Sequence, residues 1–115
     1  YEQQLCDDAE IVIVSYGAAS RVAKGAIELA RAAGIKCGLI RPITLWPFPE
    51  KPIAAAAEHA KHILSVELSM GQMVDDVRLA VNGRCPVSFY GRTGGMIPTP
   101  EEVFAHIEKI AGGLK

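Results

Sequence analysis

The sequence has little of what marks a membrane-spanning, disulfide-linked or metal-centred protein. No apolar run approaches the ~20 residues that span a bilayer, and no signal peptide is visible. The three cysteines, Cys6, Cys37 and Cys85, are odd in number, far apart and without Cys-x-x-Cys spacing. This spacing excludes a locally encoded disulfide framework, zinc site or iron–sulfur site, and we expect Cys37 and Cys85 to be core residues in a reduced, cytoplasmic protein.

Charge and nucleotide-binding motifs are also scarce. The net charge is −1, and lysines and arginines are scattered along the chain, so we predict neither a nucleic-acid nor a membrane-surface partner. There is no G-x-G-x-x-G after the first apolar run and no lysine-bearing phosphate loop. The 115 residues suit one domain. The chain begins with Tyr1 rather than methionine, and we expect it to be a piece of a longer protein.

Four short apolar runs alternate with four helical patterns. The runs are Glu10–Gly17, Lys36–Arg41, Ile63–Glu67 and Pro86–Tyr90, and their β-branched content is typical of strands buried on both faces of a parallel sheet. Right-handed crossovers then place helices on both faces. The sequence predicts an α/β fold with a mostly parallel four-strand sheet of order 2-1-3-4, whose switch point lies between the first and third strands.

Local signals predict where helices begin and end. Ser20 is a plausible N-cap of the first helix, and Gly34 follows that helix as a C-cap. The last helix has the clearest start, because Thr99, Pro100 and Glu102 have the spacing of a capping box with proline at the first helical position.

The turns after the first and third strands should share a crevice, because the carboxyl ends of parallel strands meet at one edge of the sheet. Glu67 ends the third strand, and Gly71 and Gln72 open the next helix. The free N–H groups there could bind an anion, or they could simply belong to an ordinary turn without a ligand. Glu67 could act as an acid or base, but it has no second carboxylate or histidine close in sequence, so we favour a hydrogen-bonding anchor.

Two further loops extend this edge. Prolines 42, 47, 49 and 52 predict a rigid loop that presents Trp46 and Phe48 either to a partner or back onto the core. The glycine-rich loop after Tyr90 carries one cation, Arg92, which could meet a carboxylate or phosphate.

We predict no catalytic, cofactor-binding or metal-binding residue. The predicted docking or anion-binding edge comprises Gly17, Ser20, Arg41, Trp46, Phe48, Glu67, Gly71, Gln72, Arg92, Gly94 and Gly95. His59, His62 and His106 have no ligand spacing, and we interpret them as surface or edge residues.

Four segments together resemble a known family. They read "IVIVSYG", "RPITLWPFP", "VELSMGQMVDDVRLAV" and "GRTGGMIPTPEEV", and they are similar to the C-terminal domain of the alpha subunit of 2-oxoacid:ferredoxin oxidoreductases. The nearest groups act on 2-oxoglutarate and on branched-chain acids such as 2-oxoisovalerate. The similarity runs from about Glu10 to Ala111.

The resemblance implies a three-layer α/β/α sandwich like the transketolase C-terminal domain, which often has one extra antiparallel strand. Residues 1–8 would be a linker or that strand, and residues 9–115 the domain. The parent enzymes use thiamine diphosphate, Mg and iron–sulfur clusters to convert a 2-oxoacid to an acyl-coenzyme A and pass electrons to ferredoxin. Those sites lie in other domains and match no position here. The implied partners are the N-terminal domain of the same subunit and the beta and further subunits, and the isolated domain is expected to be inactive.

Two alternatives remain open at this stage. One is the C-terminal domain of another thiamine enzyme, of the pyruvate dehydrogenase beta subunit or transketolase type, although "WPFP" after the second strand departs from those relatives. The other is a free-standing flavodoxin-like module that binds an anion. The absent nucleotide fingerprint disfavours this second alternative.

Overall fold

A computed structural model describes residues 2–4, 6, 8–15, 18–41, 50–67, 72–91 and 99–113. In these ranges one strand comes first, and four further strands then alternate with four helices. In chain order the elements are β1 (Glu2–Gln4), β2 (Ile11–Ser15), α1 (Ala18–Ala32), β3 (Cys37–Arg41), α2 (Glu50–Ala57), β4 (His62–Glu67), α3 (Gln72–Val81), β5 (Val87–Gly91) and α4 (Pro100–Gly113).

The strands form one sheet of order β1-β3-β2-β4-β5. β2 pairs in parallel with β3 and β4, and β4 pairs in parallel with β5. The predicted order 2-1-3-4 is therefore confirmed as β3-β2-β4-β5. The extra antiparallel strand is also present, because β1 pairs with β3 and aligns Glu2 with Arg41.

Two apolar layers cover the sheet, one on each face. Along β2, Ile11 and Ile13 pack with α1 and α4, whereas Val12 and Val14 pack with α2 and α3. All four side chains are fully buried, and burying each contributes about 1.5–3 kcal/mol relative to exposure. The three-layer arrangement follows from this two-sided burial, since an uncovered face would expose half of each apolar run.

The ends of two helices follow the predicted signals. The N–H of Thr99 donates to Oε1 of Glu102 at 3.2 Å, and the N–H of Glu102 donates to Oγ1 of Thr99 at 3.2 Å, which confirms the capping box. After α1, Gly34 has a φ of +83°. Its N–H donates to the carbonyl of Arg31, and the N–H of Ile35 donates to that of Ala30, which is the Schellman arrangement.

The predicted N-cap role of Ser20 is wrong. α1 begins at Ala18, so Ser20 lies within the first turn, and its side chain is buried. Ala18 and Ala19 favour helical backbone strongly, and the helix therefore starts before the first residue that could cap it. Ser20 is a buried polar residue of α1 instead.

Gly25 sets the distance between α1 and α4. A Cβ at this position would lie 3.0 Å from Cβ and Cγ of Pro100, the first residue of α4. The two helices therefore meet where α1 has no side chain, and α4 could not lie this close to a larger residue.

We expect Gly25→Val to destabilise the domain by about 1–3 kcal/mol, the usual cost of overpacking. Urea denaturation measures the change. Ala32→Val is the control, because Ala32 is exposed in the same helix and reports only the cost of a β-branched residue there, about 0.7 kcal/mol or less. Equal stability of Gly25→Val and the wild type would contradict the close contact.

Candidate functional site

Four parallel strands end at one edge of the sheet, which we call the carboxyl edge. Its end residues are Ser15 of β2, Arg41 of β3, Glu67 of β4 and Gly91 of β5. The pairing aligns Ser15 with Val66 and Glu67 with Gly91. β2 and β4 are neighbours, as the predicted switch point between the first and third strands requires.

The structure places four of the predicted site residues. Arg41 and Glu67 end their strands, Gln72 begins α3, and Ser20 lies in the first turn of α1. Each of these elements starts or ends at the carboxyl edge. The other predicted residues lie outside the described part of the chain: Gly17, Trp46, Phe48, Gly71, Arg92, Gly94 and Gly95. Their role at the edge stays a prediction.

Glu67 is a buried carboxyl group at this edge, with 5% of its surface exposed. Oγ of Ser65 donates to its Oε2 at 3.2 Å. Both residues alternate in phase with Ile63, so they project toward the layer of α2 and α3. The hydroxyl supports the carboxyl group from within the sheet, because a buried polar group is costly unless it is hydrogen-bonded.

Ser15 supports the same edge from the neighbouring strand. Its side chain is fully buried, and Oγ donates to the carbonyl oxygen of Val66 at 2.9 Å. Sequence reasoning missed both Ser15 and Ser65. The signal that could have found them is a single serine next to apolar residues of a strand: Ser15 ends "IVIVS", and Ser65 lies within "HILSVE".

The arrangement is suited to hydrogen bonding rather than to chemistry. Glu67 supplies acceptor oxygens and the start of α3 supplies backbone donors. Within the described ranges, no three His, Cys, Asp or Glu side chains are grouped so that they could hold a metal ion. The described part of the carboxyl edge thus offers hydrogen-bonding groups from β4 and from the start of α3.

The cysteines are positioned as core residues rather than as nucleophiles. Cys6 and Cys37 are buried in opposite apolar layers, and Cys85 is half-buried. Burial raises the pKa of the Cys37 thiol to about 12 and also raises that of Cys85. Because the thiolate is the reactive form, these two cysteines are poor nucleophiles at neutral pH.

One large apolar side chain on α3 lies open to solvent. Leu79 is 75% exposed, whereas Val77 and Val81 of the same helix are buried against the sheet. Sequence reasoning did not single out Leu79. No helix in the described part of the chain is both long and apolar enough to cross a membrane.

Comparison with known proteins now identifies the family. Residues 9–103 match the family model for the pyruvate:ferredoxin oxidoreductase core domain II. The chain belongs to this family. The match covers most of the sequence and confirms the resemblance to 2-oxoacid:ferredoxin oxidoreductases.

Curated relatives agree with the family match. The chain is 48% identical over 112 residues to the ketoisovalerate oxidoreductase subunit VorB of Methanothermobacter thermautotrophicus, covering 97% of the chain and 32% of that protein. It is 41% identical over 106 residues to the 2-oxoglutarate synthase subunit KorA of Methanothermobacter marburgensis, covering 92% of the chain and 28% of that protein. The chain thus spans about a third of the length of these relatives.

Solved structures confirm the fold. The chain superposes on a 2-oxoglutarate:ferredoxin oxidoreductase from Magnetococcus marinus with a TM-score of 0.71 and 23% identity, covering 88% of the chain and 18% of that structure. It superposes on a split-gene transketolase with a TM-score of 0.78 and 18% identity, covering 94% of the chain and 40% of that structure. The three-layer transketolase-like architecture is therefore shared, as the resemblance implied.

The contribution of the Ser65–Glu67 hydrogen bond to stability can be measured by comparing alanine variants of Ser65 and Ser15. We expect Ser65→Ala to destabilise the domain by about 1.5–3 kcal/mol, because its hydroxyl donates to a carboxyl group. Ser15→Ala is the matched control: its serine is equally buried, but it donates to a neutral carbonyl, so the loss should be about 1 kcal/mol. Urea denaturation at neutral pH gives both values. A smaller loss for Ser65→Ala than for Ser15→Ala would show that the contact with Glu67 contributes little.

Proposed function

We propose that this chain is an assembly domain in the alpha subunit of a 2-oxoacid:ferredoxin oxidoreductase. The observation that carries the proposal is the family match over residues 9–103, together with relatives that are subunits of ketoisovalerate and 2-oxoglutarate oxidoreductases. The parent enzyme would oxidatively decarboxylate a 2-oxoacid, form an acyl-coenzyme A and pass the electrons to ferredoxin.

The catalytic groups of that reaction would lie outside this domain. Thiamine diphosphate, Mg and iron–sulfur clusters would be held by other parts of the complex. The described residues do not fit a cluster, because Cys6 and Cys37 lie in opposite layers of the fold and no metal-binding group of three side chains is formed among them. We therefore assign no chemical step to this chain.

The carboxyl edge is the proposed docking surface. Glu67 ends β4 there and is held by Ser65, and α3 starts at Gln72, five residues further along the chain. Polar groups that are held in one orientation make an interface specific and fix how its two surfaces align. The proline-rich segment with Trp46 and Phe48, which the sequence predicts to be rigid, follows β3 along the chain, and large aromatics are frequent energetic centres of interfaces.

The double variant Trp46→Ala/Phe48→Ala, made in the full-length subunit and expressed with its partner subunits, tests the proposal. We expect the dissociation constant of the complex to rise at least tenfold, because a central aromatic anchor typically contributes about 2 kcal/mol or more. Native mass spectrometry across a dilution series measures assembly, and a thermal melt of the separated subunit verifies folding.

Leu29→Ala is the control for this experiment. Leu29 is a partly exposed leucine of α1, and it lies eleven residues after Ala18, or ~16 Å along the helix from the carboxyl edge. Its loss should leave assembly unchanged. Unchanged assembly and activity in Trp46→Ala/Phe48→Ala would refute the docking role of this segment.

A further inference from the structure

A group of half-buried polar side chains joins α4 to the outer strands on one face of the sheet. Nε2 of His62 lies 2.6 Å from Oγ of Ser88. The rings of Tyr90 and His106 are 5.3 Å apart between centroids and tilted by 56°. The Tyr90 hydroxyl donates to Oε2 of Glu102 at 3.3 Å. We call these five residues the α4 cluster.

The α4 cluster lies at the weakly held side of the domain. β5 is the last strand of the sheet and pairs within the described chain only with β4. On the other flank, α4 packs on α1 through Val103 and Ile107, which are fully buried. α4 thus contacts α1 through fully buried apolar side chains, whereas it contacts β5 through Tyr90, which is only half-buried: its ring packs on the core and on His106, and its hydroxyl bonds Glu102. The half-buried side is the easier to open.

The two histidines of the cluster share one electrostatic environment. Burial lowers the pKa of both His62 and His106 below the ordinary value of 6.5. The charge of His106 further lowers the pKa of His62, and Lys109 of α4 further lowers that of His106. Glu102 faces the cluster from α4, through Tyr90. Glu108 of α4 lines a cavity together with Glu10 and Lys61, next to the start of β4 at His62.

We infer that the α4 cluster is an acid-sensitive latch, which holds α4 against β5 while His62 and His106 are neutral and loosens when both are protonated. Protonation would place two charges at half-buried positions between β4 and α4, where burial disfavours the charged form and Lys109 repels a charge on His106. Opening this flank restores water to both imidazoles, so the outer strand and the adjoining face of α4 separate first while the α1 contact persists.

The direction of the pH dependence follows from the sign of the shifts. A histidine whose pKa is lower in the folded state binds protons more tightly when its surroundings open. The latch is fully closed above the ordinary pKa of 6.5. It weakens as the pH falls through that value, and the weakening ends below the folded pKa values. Each unit of pKa difference corresponds to a tenfold change in the opening equilibrium.

Amide hydrogen exchange of the full chain at pH 7.5 and pH 5.5, corrected for intrinsic exchange rates, tests the latch. We expect the opening equilibrium of β5 and of the β5-facing amides of α4 to rise by about three- to tenfold at the lower pH. The amides of β2 should change less than twofold. No rise at β5, or a rise of equal size at β2, would overturn the inference.

Variants assign the response to the two histidines. His62→Gln/His106→Gln should reduce the response of β5 to less than twofold. His59→Gln is the matched control, because His59 is an exposed histidine near the carbonyl of Cys6 in the opposite layer, and it should keep the wild-type response. A full response in the double variant, or its loss in His59→Gln, would overturn the latch.

A titration of the wild-type histidine ring protons by NMR keeps the test independent of any variant that fails to fold. His62 and His106 should titrate with midpoints below 6.5, and His106→Gln should raise the midpoint of His62. Midpoints at or above 6.5 for both histidines would refute the inference.

Discussion

The structure depends on one strand, β2, which is buried on both faces and paired on both edges. All five of its residues are buried, and it pairs in parallel with β3 on one side and β4 on the other. Parallel pairing requires long crossovers, so α1 and the segment through α2 must cross the sheet. Two-sided burial requires helices on both faces, and those helices complete the three layers.

Parallel pairing also makes the two edges of the sheet different. At the amino edge, where the parallel strands begin, backbone groups pair with one another. The N–H groups of Glu10 and Ile11 donate to the carbonyl of Lys36, and those of Lys61 and His62 donate to the carbonyl of Glu10. Arg31 adds a bidentate pair with Asp8, at 3.0 Å from Nη1 to Oδ2 and 2.8 Å from Nη2 to Oδ1, and its Nε donates to the carbonyl of Cys37.

At the carboxyl edge, the strand ends carry polar side chains instead. The hydroxyls of Ser15 and Ser65 and the carboxyl group of Glu67 are buried within the sheet where the strands finish. A buried polar group lowers stability unless it is satisfied, and here both hydroxyls donate hydrogen bonds, Ser15 to the carbonyl of Val66 and Ser65 to Glu67. This asymmetry between the two edges is the physical basis of the proposal that the carboxyl edge is the docking surface.

The alternation of strands and helices could be predicted from sequence because it depends on local signals that repeat along the chain, and the order of the four parallel strands followed from the general topology of such sheets. β-branched runs alternate with helical periods, and Gly34 and Thr99 mark helix ends through bonds to residues at most four positions away. The N-cap prediction for Ser20 was wrong because a serine near a helix start has the same sequence pattern whether or not the helix has already begun.

Contacts between distant segments could not be predicted. His62 meets Ser88, and Ser15 meets the carbonyl of Val66, only after the strand register is fixed. A one-residue change of register would turn each of these side chains to the other face. The same limit applies to Tyr90 with Glu102, which depends on how α4 crosses the sheet.

Hydrogen-exchange footprinting of the full complex against the separated chain tests the central claim most directly. If the carboxyl edge is the docking surface, residues 15–20, 41–49, 67–72 and 91–95 will be protected in the complex, while residues 33–36 and 58–61 at the amino edge will exchange equally in both states. Protection confined to the amino edge, or equal exchange at the carboxyl edge, would contradict the account.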